Sequence, residues 1–323
     1  MFFSKTIASG RVENGFSIDE PWVAVGFDVG NSCVNFEKAD VDWLNSGFDA
    51  TAFLNGYNSR CSINVENFMD QFSTLENSAT KLVACVYGDA WQRNDFFSRE
   101  FTNSHHSLSV LRPACFNGGV KRFSDKTGVG LDALCSAAIN TYLQHCSTPL
   151  AAINVNVSNR YLLNSMRHSN PLLPVIFLVC EPALMLANWL NSDLDQRYKL
   201  VDRFARESGI VSYEDRQALV PLDAFFGILE AYYQKLIDMS NTIVNSYIFD
   251  NTLPHIEAFT VLSGLMDVSA TDVMKAHGHI VSDSAQMIEI QKKIEENSHL
   301  VPDVIKEQFS KIQQLESYLG TGL

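Results

Sequence analysis

Asp28 and Asn31 stand three residues apart at the end of the run Trp22-Val-Ala-Val-Gly-Phe-Asp-Val-Gly-Asn31. An apolar lead-in followed by a carboxylate, a glycine and an amide reads as a buried strand that presents polar groups at its end. In open α/β sheets the carboxyl edge of the strands is where ligands bind. The same residues also suit a plain strand-to-helix turn in which Asp28 or Asn31 caps backbone amides. Asp132, near the start of a helix, has two readings too: a chemical group, or a charge placed favourably on the helix dipole. Lys121, Arg122 and Lys126 are the densest basic group in the first half. They suit either a phosphate contact or a solvated loop.

Other chemistries have weaker support. His105 and His106 are adjacent, so in a strand their rings point to opposite faces and do not readily share a metal. His277 and His279 are better spaced but have no cysteine or acid at zinc-site spacing. There is no Gly-x-Ser-x-Gly elbow, Walker loop or dinucleotide-binding glycine fingerprint. The seven cysteines are odd in number and form no C-x-x-C pair. Most lie in apolar runs, which predicts free buried thiols in a reducing compartment.

Positioning these groups requires a folded scaffold, and the composition supplies one. The chain has 323 residues, 46% hydrophobic and 19% charged, enough for a sizeable core in one large domain or two ordinary ones. Acids exceed bases 37 to 24, giving a net charge of -13. That balance counts against non-specific nucleic-acid binding while leaving room for a local basic patch. The opening Met1-Phe-Phe-Ser-Lys5 runs into polar residues, and no apolar run is long enough to span a bilayer, so we expect an intracellular, soluble, cytoplasmic protein without membrane contact.

Strand signals fall at the stretch from Trp22, at Lys81–Tyr87, at Leu108–Leu111, at 151–157 and at 174–180. Helical periodicity marks 65–72, 91–101, 131–146, 160–167, where Ser158 would cap, and 182–190 with Pro182 in its first turn. Residues 117–128 read as a loop. The stretch Ser32–Phe36 either starts a helix or returns as a second strand. Apolar strands separated by helices predict a mostly parallel sheet covered on both faces, a three-layer α/β domain. From about 196 the strand signals fade, and helices are predicted over 222–247, 256–266 and 284–319. The last carries the apolar seam Ile305, Phe309, Ile312, Leu315 and Leu319, stopped by Gly320. The expected organisation is an arm over 1–21, an α/β domain over 22–195 and an all-helical domain over 196–323.

The first two hundred residues resemble a NYN domain, a branch of the PIN-like nuclease superfamily with a Rossmannoid fold. The resemblance rests on Asp28 and Asn31 at the family's spacing, on Val86-Tyr87 closing a strand, and on Lys126-Thr-Gly-Val-Gly-Leu-Asp132 entering a helix. It implies an RNA-binding or RNA-cleaving hydrolase. Clustered carboxylates would hold Mg²⁺ or Mn²⁺, which activates water and stabilises charge on the cleaved phosphate. By the resemblance Asp28 and Asp132 would be catalytic metal ligands. Asn31, Lys126, Asn156, Ser158 and Asn159 would contact substrate.

The chain departs from the family pattern in two places. The family's paired aspartates are replaced by Asn156, Ser158 and Asn159, and a second helix acid is replaced by Ala138. Two carboxylates plus amides make a poor magnesium cage, so the expectation spans an intact nuclease and one that binds without cutting. A non-enzymatic structural subunit is the alternative, docking a protein partner or a second copy through its helical C-terminal half. A further alternative follows from Phe27–Phe36, which is similar to the first phosphate hairpin of actin-like and sugar-kinase-like nucleotide-binding proteins. Such proteins need a second Asp-Gly hairpin, which residues 150–270 do not offer.

Overall fold

The computed structural model describes residues 20–39, 60–74, 80–88, 108–111, 113–117, 119–146, 148–155, 160–194, 197, 222–242, 245–250, 252, 264 and 284–320. Its strands form two separate sheets. β1 (Trp22–Asp28), β2 (Cys33–Lys38) and β3 (Arg60–Asn64) make an antiparallel sheet in that order. Val34 and Phe36 alternate inward along β2 and are fully buried. Helix α1 (Val65–Phe72) leaves β3 directly, and the Asn64 side chain caps it by accepting the Asn67 N–H at 2.8 Å. Its Phe68 and Phe72 lie under Phe27 and Phe36, with ring centroids about 6 Å apart.

Helix α2 (Val120–Thr127) adds Phe123 to this cluster, 5.1 Å from the Phe27 ring. Glycines in the left-handed region stop it at both ends, Gly119 at φ 85° and Gly128 at φ 74°. Only glycine takes that conformation without strain. Helix α3 (Leu131–Leu143) packs against α1, α2, β1 and a further helix, α4 (Arg160–Ser169). Such a position needs apolar residues on nearly every side. Leu134, Cys135, Ala137, Ala138, Ile139, Tyr142 and Leu143 meet that need.

β1 is an edge strand, and its register shifts between Ala24 and Gly26. Buried backbone groups there need partners from outside the sheet. Two α3 side chains provide them. The Ala24 N–H donates to Thr141 Oγ1 at 3.1 Å, and the Tyr142 hydroxyl donates to the Ala24 carbonyl at 2.7 Å.

The second sheet has β4 (Lys81–Tyr87), β5 (Leu108–Leu111), β6 (Leu150–Val155), β7 (Val175–Val179) and β8 (Ser246–Asp250). Its order is β5-β6-β4-β7-β8, and every neighbouring pair is parallel. β7 is buried at every residue, as a strand covered on both faces must be. α4 links β6 to β7. α5 (Pro182–Asn191) and α6 (Leu222–Thr242) stand between β7 and β8 in the chain, and α7 (Ser284–Asn297) and α8 (Asp303–Gly320) follow. α8 packs on β8, α6 and α5 through buried Ile305, Phe309 and Ile312.

The α/β class and the parallel sheet agree with the sequence reading, and three expectations need correction. The strand that ends at Asp28 is not in the parallel sheet. Residues 33–38 return as β2, and the antiparallel hairpin takes β1 away. The segment after 195 is not all-helical, because the helix expected over 222–247 ends at Thr242 and Ser246–Asp250 completes the parallel sheet beside β7. Residues 120–127 are a helix rather than part of a loop. The arm up to residue 19, the helices expected over 91–101 and 256–266 and the four singled-out histidines lie outside the described residues, apart from Gly264. All seven cysteines are free thiols, five of them buried. Among the described residues no helix is long and apolar enough to cross a membrane.

Candidate functional site

Three of the sequence-selected residues meet at the β1–β2 hairpin. Residues 29–32 form its turn, with Ser32 at φ 56°. Asp28 holds the turn. Its Oδ1 accepts the Asn31 backbone N–H at 3.1 Å, and its Oδ2 accepts the Asn31 side-chain amide at 2.8 Å. These are the local bonds by which aspartate and asparagine stabilise turns. The Asn31 side-chain amide, then the Asn31 backbone amide, lower the Asp28 carboxyl below its ordinary range. Lys126, in the last turn of α2, closes the unit. Its ammonium donates to the Gly30 carbonyl at 2.7 Å and to the Val29 carbonyl.

Asp132 is in the first turn of α3. Its Oδ1 accepts the Ser165 hydroxyl of α4 at 2.6 Å, and its Oδ2 is 4.0 Å from His168 Nε2. Beneath it, burial pushes the Cys135 thiol up to about 12, so this thiol is not a nucleophile at neutral pH. Asn156, Ser158 and Asn159 lie outside the described residues.

The described residues by themselves do not make a Mg²⁺ or Mn²⁺ cage. Such ions take about six oxygen ligands in near-octahedral array. Here both oxygens of Asp28 already accept N–H donors, and a lysine ammonium stands on the same turn. Among the described residues no group of three or more His, Cys, Asp or Glu side chains could hold a metal ion. The turn is a hairpin, as one of the two loops of the nucleotide-binding alternative would require. Its strand β1, however, pairs only with β2 among the described residues.

The sequence reading missed a second polar cluster, at the carboxyl edge of the parallel sheet. The connection after β4 leads to β5 at one edge and the connection after β7 leads to β8 at the other, so direction reverses between these neighbours. In open sheets that reversal marks the ligand-binding crevice. Gly88 follows β4, and a Cβ there would come within 2.9 Å of the Leu178 side chain. Beyond β7 and β8, Thr252 Oγ1 accepts the Glu181 N–H at 2.6 Å, and Asp250 Oδ1 accepts the Thr252 N–H at 2.9 Å. Gln313 of α8 donates to Asp250 Oδ2 at 3.1 Å. Burial first, and then the Asp250 charge, raise the Glu181 carboxyl, while the Ala183 amide and Lys306 act the other way. Glu181 was legible as the polar residue ending an apolar strand. Asp250 was not, because the helix reading over 222–247 took the first two residues of its strand and left the rest unassigned.

The chain matches no protein-family model, no curated protein and no solved structure.

Proposed function

We propose that the chain is a non-cleaving relative of the NYN/PIN-like domains, on a three-layer Rossmannoid scaffold, that binds single-stranded RNA. The observation that carries this reading is the closed Asp28–Asn31–Lys126 unit. The carboxylate that would hold a catalytic metal accepts protein donors at both oxygens. The neighbouring lysine is engaged by loop carbonyls. Lys121 and Arg122, exposed on α2, the helix that carries Lys126, remain to meet phosphates. On a chain of net charge -13 such contact would be local and salt-sensitive.

The test pairs Mn²⁺ calorimetry on the wild type and Asp28→Asn with anisotropy and cleavage assays on a labelled single-stranded RNA. The expected result is the same Mn²⁺ heat in both proteins, no cleavage, and RNA binding whose salt slope falls by about 1.4 in Lys121→Glu/Arg122→Glu, two contacts at about 0.7 each. Mn²⁺-dependent cleavage that Asp28→Asn abolishes would establish a nuclease instead.

Absence of RNA binding would favour a second reading, a partner-binding or self-associating subunit. Its supporting observation is Ile288, Leu300 and Val304 at 68%, 40% and 45% exposure along α7, α8 and their junction.

A further inference from the structure

We draw no further inference here: the strongest candidate, the Glu181–Asp250 pair with Thr252 and Gln313 where α8 meets the carboxyl ends of β7 and β8, is an acidic cluster beside which nothing in the structure marks a ligand.

Discussion

Asp28 illustrates how one residue type serves two purposes that a sequence does not separate. A carboxylate after an apolar strand suits a metal site or a turn, and Asn31 three residues on suits both. The structure has the turn. Because Asn31 bonds stabilise the ionised form, the Asp28 carboxyl titrates below its ordinary value in the folded chain. It therefore contributes stability that is present above the unfolded pKa and lost as pH falls through the folded one. In carboxyl-detected NMR titrations, Asn31→Ala should move the Asp28 midpoint up toward the ordinary value near 3.9. An unmoved midpoint would remove Asn31 as the cause.

Glu37 runs the opposite way. It is 1% exposed on β2, and its Oε1 accepts from Arg60 Nε while Oε2 has no hydrogen-bond partner among the described residues. Burial raises its carboxyl, and Arg60 only partly offsets this. With the folded pKa above the unfolded one, its contribution is full below the unfolded value near 4.3 and is lost as pH rises through the folded value. Glu37→Gln should thus melt higher than wild type at pH 8, with the gap narrowing toward pH 4.5. A constant gap would show that the Arg60 contact, not ionisation, controls the site.

At the scale of elements, the fold depends on how α3 completes the edge of β1. Tyr142→Phe leaves the Ala24 carbonyl buried without its donor, which costs about 1–3 kcal/mol in chemical denaturation. A loss below about 0.5 kcal/mol would mean that water replaces the hydroxyl. The end of β4 is held in a different way. Gly88→Ala places a methyl group against Leu178, where the nearest atom is a Cβ that cannot swing aside. Overpacking of this kind costs about 1–3 kcal/mol. The elements best read from sequence, α3, β4 and β7, carry strong local signals: three- and four-residue apolar steps in the helix, unbroken apolar runs in the strands. Two were misread. Ser246–Asp250 follows a long helical pattern without a Gly or Pro to end it. Residues 120–127 are so polar that their helix is visible only from the two flanking glycines and from Val120 and Phe123 facing the core.

For the whole molecule, the pairing of β7 with β8 ties residues on both sides of the expected boundary at 195 into one sheet. Val175–Val179 aligns residue by residue with Ser246–Asp250. A chain ending at residue 195 would lose that strand together with α6 and α8, and would expose Tyr233-contacting backbone at Cys180. We expect the truncated chain to aggregate, and the full chain to unfold in one transition seen alike by far- and near-ultraviolet circular dichroism. Two separated transitions with a soluble 1–195 fragment would restore a two-domain description. The sequence by itself determined the α/β class, the extents of most helices and strands, and the burial of the thiols, because those follow from hydrophobic periodicity along a few consecutive residues. The tertiary structure alone decided which strands share a sheet, that Asp28 closes a hairpin turn with Asn31 and Lys126, and that Ser246–Asp250 belongs to the parallel sheet. Strand pairing in the parallel sheet joins residues 42 to 90 positions apart, 71 for β7 and β8. Their match rests on packing that no local window contains.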